Sequence, residues 1–251
     1  MRHDLAGEPL ARSYAVTHPT GTIVPAPATG WTLVVYATRG VLSVVAGGSR
    51  LTVPPHRAAL LPDGSALQLE VVGRTSLRNL YVQSRLFAPF GRPRVVDVPP
   101  LARELLLEAV RRAPLQRRAA PDRRLLATLL DELAHLPDVP LQVPVPHDRA
   151  AAAVARAVLV DPATSTSLAE LARRHGLSRR TLERRFRDET GMSPARWRNR
   201  VRLVESVRLL TAGATTTETA AAVGFATPSA FAHAFRRELG TTPSQYVRSG
   251  R

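Results

Sequence analysis

Hydrophobic and polar positions change their period along the 251-residue chain. Between Trp31 and Val82, short β-branched and aliphatic runs alternate with turn signals. These signals are Arg39-Gly40, Gly47-Gly48, Pro54-Pro55 and Asp63-Gly64. Runs of this kind at intervals of about 8–12 residues predict four or five short strands in a small sandwich or barrel. We therefore expect a β-rich domain over residues 1–98.

Apolar residues in the next forty positions recur with a helical period instead. They share one helical face in each of two runs, namely Leu101, Leu105, Ala109 and Val110, and then Leu125, Leu129, Leu130 and Leu133. A proline stands near the start of each run, where a helix tolerates it. Residues 99–137 therefore predict a helical hairpin. Two compatible roles stay open for it, a cover over one side of the barrel and a dimerisation seam.

Residues 138–148 are rich in proline, which excludes a helix and predicts a semi-rigid linker between two domains. From residue 149 the period is helical to the end of the sequence, so residues 149–251 predict an all-α domain. Ser167 with Glu170, and Thr215 with Glu218, have the spacing of a capping box at a helix start. Glycines end several of these helices.

The C-terminal domain contains one pattern twice. The first copy reads GLSRRTLERRFRDETGMSPARW from Gly176, and the second reads GFATPSAFAHAFRRELGTTPSQY from Gly224. In each copy an alanine four residues before the glycine allows two helices to cross closely, and the glycine supplies a left-handed turn. An apolar pair four residues apart then faces the core. Each copy therefore predicts a helix-turn-helix, at about 167–187 and 216–237.

The charge of the chain favours a polyanionic partner. Its 35 basic residues are all arginine and its net charge is +15, of which +9 lies between residues 151 and 251. Double-stranded DNA is the first candidate. The chain has no cysteine, so no disulfide framework is expected, in keeping with a cytoplasmic protein. No apolar leader and no run of membrane-spanning length is evident, so no membrane association is expected.

These residues also carry a family resemblance. The stretches LAELARRHGLSRRTLERRFRDETGMSPARWRNRVRL and AAAVGFATPSAFAHAFRRELGTTPSQYVR resemble the DNA-binding domain of AraC/XylS-family transcriptional regulators. The upstream GVLSVV, LTVPPHRAALLPDG and LRNLYV resemble a cupin-like sensor domain. The resemblance implies an α+β multidomain protein: a cupin-like β-barrel with a helical hairpin, then an all-α domain whose two helix-turn-helix units are joined by a linker helix.

The same resemblance implies a sequence-specific transcriptional regulator that reads two adjacent major grooves. Its expected partners are double-stranded DNA, a second copy of the chain, a small-molecule effector in the barrel and, for an activator, RNA polymerase. The exposed positions of the second helix of each unit are predicted to contact bases, namely Arg180, Glu183, Arg184, Ser229, Ala232 and His233. Phosphate contacts are predicted for Arg179, Arg187, Thr227 and Arg236.

Two departures from the family pattern define the alternatives. Thr216 and Thr219 stand where the family usually has aliphatic core residues, which predicts weaker packing of the second unit. The cupin-like part lacks clustered histidines, so no metal, cofactor or catalytic residue is expected. A cupin enzyme fused to a DNA-binding domain would have to rely on the sparse set His18, His56 and Glu70. A DNA binder that acts through charge alone, without sequence preference, is the third hypothesis.

Overall fold

The computed structural model describes residues 8–19, 21–24, 29–65, 67–87 and 91–249. The chain forms two compact units. The N-terminal unit combines Met1–Gly47 with Val53–Val139, and the C-terminal unit combines Gly48–Thr52 with Pro140–Arg251. The chain therefore passes between the units three times, whereas a single linker at 138–148 predicts one passage.

Strands dominate the N-terminal unit. The strands of the described residues are β1 Ala11–His18, β2 Gly21–Ile23, β3 Trp31–Ala46, β4 Ser49–Val53, β5 Arg57–Leu61, β6 Leu67–Gln83, β7 Arg94–Asp97 and β8 Gln142–Pro144. In the N-terminal unit the antiparallel order is β1-β6-β3-β5-β7, with β2 paired to β6. The inner residues of this sheet, such as Val34, Leu60 and Leu80, are fully buried.

The turn predicted at Arg39-Gly40 is wrong. Strand β3 continues through these residues, and its pairing with β6 changes register between Ala37 and Arg39 and again between Arg39 and Val41. Gly40 has a φ of 75°, which a glycine adopts without a steric penalty. The glycine therefore marks a bulge that bends one long strand, a use of glycine that resembles a turn in the sequence.

The predicted helical hairpin is present as α1, Pro100–Arg112, and α2, Ala120–His135. It packs on the face of the sheet that carries Val34 and Leu80, and so covers one side of it. The predicted apolar face of α1 is wrong at Leu101, whose side chain is 57% exposed. The buried row of α1 contains Ala102, Leu106, Ala109 and Val110 instead. The helix therefore turns the face with Ala102 and Leu106 toward the sheet and leaves Leu101 on the solvent side.

The C-terminal unit is mainly helical. Its helices are α3 Arg149–Val160, α4 Leu168–Arg174, α5 Arg179–Thr190, α6 Pro194–Thr211, α7 Thr216–Ala222, α8 Pro228–Leu239 and α9 Pro243–Ser249. The predicted all-α region, 149–251, contains only helices among its described residues, but the C-terminal unit also includes β4 paired with β8, which lie outside that region. The prolines around β8 prevent a helix, but they do not prevent a short edge strand.

The structure shows no helix, within the ranges given above, that combines the length and apolar character needed to cross a membrane. The same residues contain no cluster of three histidine, cysteine, aspartate or glutamate side chains arranged to hold a metal ion. His3, one of the three histidines of the cupin-like part, lies outside the described residues.

Candidate nucleic-acid interface

Both helix-turn-helix units are built on the same local chemistry. Gly176 and Gly224, with φ of 71° and 78°, make the left-handed turn between the two helices of each unit. The residue after each glycine donates its backbone N–H to the carbonyl of the alanine predicted at the crossing, Ala172 or Ala220, at 2.9 Å. Both alanines are buried. The predicted crossing of two helices at a small residue is confirmed in each unit.

Side-chain caps fix where the second helix of each unit begins. Ser178 Oγ accepts a hydrogen bond from the Thr181 N–H at 3.1 Å, and Thr227 Oγ1 accepts one from the Ala230 N–H at 3.1 Å. These bonds satisfy backbone donors that a helix start otherwise leaves free. These hydrogen bonds therefore fix the residue at which the first exposed turn of α5 and of α8 begins.

The first helices of the two helix-turn-helix units, α4 and α7, differ in their N-terminal caps. Thr215 and Glu218 form the complete capping box that the sequence predicts, and the hydrogen bonds from Thr215 lower the pKa of the Glu218 carboxyl. Ser167 caps α4, but its partner Glu170 pairs instead with Arg173 and Arg174. The predicted capping box at α4 is therefore only half formed, since two guanidinium groups compete for the carboxylate.

Aromatic residues anchor the buried faces of the two second helices. Phe186 of α5 meets the edge of the Trp197 ring, with ring centroids 5.3 Å apart. Phe235 of α8 meets Tyr246 in the same way at 5.6 Å. These contacts confirm the prediction that the aromatic residue three positions after each proline packs against its own unit. The opposite faces of α5 and α8 are left to solvent.

The solvent face of α5 is strongly basic. Arg179, Arg180, Arg184 and Arg187 are exposed, and Glu183 is half-buried. Glu183 forms an ion pair with Arg187 at 3.4 Å. Within the described part of the chain, no ion pair is found for Arg179, Arg180 or Arg184. Their charges are therefore available to an external polyanion.

The matching face of α8 is smaller and less charged. Position for position, 49 residues later, Ser229 replaces Arg180, His233 replaces Arg184 and Ala232 replaces Glu183. Exposed side chains on this face and its cap are Thr227, Ser229, His233 and Arg236, whereas Ala232 is half-buried. The two predicted reading surfaces therefore occupy equivalent places and differ in chemistry.

Several arginines of the C-terminal unit have an internal role that the sequence analysis did not predict. Arg198 donates to the carbonyl oxygens of Thr166, at 2.9 Å, and Thr164. Arg202 donates to the Pro162 carbonyl at 2.8 Å. Burial lowers the pKa of both guanidinium groups. Their spacing of four residues on one face of α6 is the sequence signal that could have identified them. Part of the positive charge therefore stabilises the loop before α4.

Thr219 is buried in the second unit, as the sequence predicts, and its Oγ1 has no hydrogen-bond partner among the described residues. We expect Thr219→Val to raise the free energy of unfolding of the C-terminal unit by about 1–3 kcal/mol, because it removes an unpaired buried hydroxyl and keeps the shape. Urea denaturation measures this change. Thr216→Val is the matched control, since Thr216 is half-buried. A loss of stability in Thr219→Val would contradict the expectation.

Comparisons with known proteins agree with this geometry. Residues 171–249 match a family model described as a helix-turn-helix domain. The chain is 27% identical over 213 residues to the transcriptional regulator NimR of Escherichia coli, covering 85% of this chain and 78% of the relative. It is 42% identical over 104 residues to RipA of Corynebacterium glutamicum, covering 41% of this chain and 31% of the relative.

A further relative is called a putative AraC-like transcription regulator, from Streptomyces lividans. It is 39% identical over 87 residues, covering 34% of this chain and 29% of the relative. The similarity to RipA and to the Streptomyces lividans relative thus covers about a third of the length of those two proteins. The similarity to NimR extends over most of both chains. The paired helix-turn-helix units form an AraC-type DNA-binding domain, and over this domain the chain is similar to these transcriptional regulators.

Proposed function

We propose that the C-terminal unit binds a specific DNA site by placing α5 and α8 in two successive major grooves. The observation that supports this most directly is the pair of equivalent, solvent-exposed faces described above, each anchored by a buried aromatic pair. The helix that joins the two helix-turn-helix units, α6, has 18 residues and is therefore about 27 Å long. This length is comparable with one turn of DNA, about 34 Å.

The side chains of α5 suit direct reading of base edges. Arg180 and Arg184 can each donate two hydrogen bonds to guanine, and Glu183 can accept one from cytosine. In α8, Ser229 and His233 offer single polar contacts, and Ala232 offers an apolar contact to a thymine methyl group. Phosphate contacts fall to residues at the edges of these faces: Arg179, Arg187, Thr227 and Arg236.

For the N-terminal unit we propose a cupin-like barrel that senses a small-molecule effector, together with dimerisation through α1 and α2. In this proposal, residues 1–98 with the hairpin at 99–137 sense the effector and dimerise, and residues 149–251 bind DNA. A dimer acting in the cytoplasm would present its activating surface, if it has one, to RNA polymerase.

Footprinting tests the proposed DNA-binding mode. Duplexes that the full chain selects from a random library should show two protected segments one helical turn apart. Unrelated DNA at the same salt concentration should compete at least about a thousandfold less well. Binding through charge alone is the alternative, and the unpaired arginines of α5 favour it. Equal competition by unrelated DNA, or protection of a single turn, would contradict the proposal.

A further inference from the structure

Residues 140–148, called the strap below, form part of the C-terminal unit. Their strand β8 pairs with β4, with Leu51 opposite Gln142 and Ser49 opposite Pro144. Backbone hydrogen bonds extend the pairing at both ends, from Thr52 N–H to the Leu141 carbonyl at 2.9 Å and from Val145 N–H to the Gly48 carbonyl at 2.8 Å. The middle of the strap, from Leu141 to Val145, is therefore held by backbone pairing.

The C-terminal end of the strap is fastened to α5. The Glu189 carboxylate accepts hydrogen bonds from the backbone N–H groups of His147, at 2.5 Å, and Asp148, at 3.0 Å. The Asp148 carboxylate forms an ion pair with Arg185 and also caps α3 through the Ala151 N–H at 2.9 Å. Two residues of α5, one acidic and one basic, thus hold the same short piece of the strap.

The middle of the strap reaches α5 by a second route. The indole of Trp197, a residue of α6, donates from Nε1 to the Pro144 carbonyl at 2.6 Å. The same ring packs edge-on against Phe186, one of the two buried residues of α5. The helix is therefore fixed to the strap both at its last turn and through its core side chain.

The corresponding residue of the second unit has a different partner. Glu238 lies 49 positions after Glu189, and it pairs with Arg200 of α6. This contact holds α8 to α6, the helix that joins the two helix-turn-helix units. Glu189 thus ties α5 to the strap, whereas Glu238 ties α8 to α6.

We infer that the strap positions the first reading helix selectively, and so lets the N-terminal unit alter binding to one half of the DNA site without altering the other. This inference rests on the proposed entry of α5 and α8 into successive grooves. The chain passes between the units at 47/48, 52/53 and 139/140. All three passages lead directly into β4 or the strap. A structural change in the N-terminal unit that is passed along the chain would therefore reach β4 or the strap first.

Gly48 offers a way to disturb the strap without touching α5. A Cβ atom on Gly48 would lie 2.8 Å from Cε1 of the exposed His147 side chain, so Gly48→Ala must displace that ring, and the φ of 71° at position 48 adds backbone strain beside β4. Gly64→Ala is the matched control, because Gly64 has the same φ of 71° and nothing within 4 Å of the added atom. In the double variant Gly48→Ala/His147→Ala, the clash is removed while the backbone N–H of residue 147 remains.

The probes are duplexes selected by the full chain, with one half of the site scrambled at a time. Loss of discrimination in Arg184→Ala identifies the half that α5 contacts. We expect Gly48→Ala to raise the Kd for that half about tenfold and to change the other half less than about twofold. Gly64→Ala should change neither half, and the double variant should recover most of the affinity. Equal weakening of both halves, no weakening, or no recovery would overturn the inference.

A second pair of variants tests the same point from the helix. Glu189→Ala should weaken binding to the α5 half, whereas Glu238→Ala should weaken binding to the α8 half. If Glu189→Ala weakened both halves equally, the strap would have no selective effect. The two proposals fail differently, because a wild-type chain that gives no paired footprint overturns the DNA-binding mode. A normal wild-type footprint with unresponsive strap variants overturns only the inference drawn here.

Discussion

Replacing Phe231 with alanine is expected to lower the free energy of unfolding of the C-terminal unit by about 3–5 kcal/mol. The Phe231 side chain is fully buried. Its ring lies between those of Phe225 and Phe235, with centroid distances of 5.5 Å and 5.6 Å. Truncation removes both ring contacts and leaves a cavity that the anchored neighbours cannot fill. The reading face of α8 then loses the support that fixes its orientation.

Equilibrium denaturation by urea, followed by circular dichroism, measures the loss. Arg237→Ala is the control on the same helix, because Arg237 is exposed. Its effect should stay within about 0.5 kcal/mol. A cost below about 1 kcal/mol for Phe231→Ala would show that the aromatic cluster does not stabilise the unit. We also expect Phe231→Ala to lose footprint protection first in the half of the site that α8 contacts.

Arg184→Ala should reduce discrimination between the selected site and random DNA by about 1–3 kcal/mol, or roughly 5- to 150-fold. Arg184 is exposed at the centre of the solvent face of α5. A guanidinium group there can donate two hydrogen bonds to guanine, and no other base offers the same two acceptors. Arg180→Ala should act in the same direction, since Arg180 lies one turn earlier on the same face.

Affinities for selected and scrambled duplexes, measured at several salt concentrations, separate base contacts from phosphate contacts. Arg179→Ala is the matched control, because a phosphate contact should weaken binding to both duplexes alike and reduce the salt dependence by about one phosphate. If Arg184→Ala also weakened both duplexes alike, Arg184 would have to be reassigned to the phosphate backbone.

Local chemistry explains why the helix-turn-helix units could be predicted from the sequence. Each needs a small residue, a glycine with positive φ and an apolar pair four residues apart, and all of these lie within about twenty positions of one another. The caps at Ser178 and Thr227 are equally local, since a hydroxyl bonds to an N–H three residues away. Exposure of Arg180, Arg184, Ser229 and His233 follows directly from the buried pairs.

Long-range pairing explains what could not be predicted. Nothing in Gly48–Thr52 indicates that this strand joins residues more than 90 positions later, because strand pairing depends on partners rather than on period. The buried guanidinium groups of Arg198 and Arg202 belong to the same class. Their acceptors are backbone carbonyl oxygens in a loop over 30 residues earlier. The contact roles of α5 and α8 depend on the DNA sequence that the domain selects, so they stay predictions.

The origin of β4 matters for anyone who expresses the regulator in pieces. A fragment that starts at Pro140 keeps the helices α3 to α9 but discards Gly48–Thr52, the partner of β8. The orphaned edge would expose backbone donors and acceptors, together with the apolar side chains of Leu141 and Val143. We expect such a fragment to self-associate through this edge. A peptide with the sequence of residues 48–53, added in trans, should reverse the association.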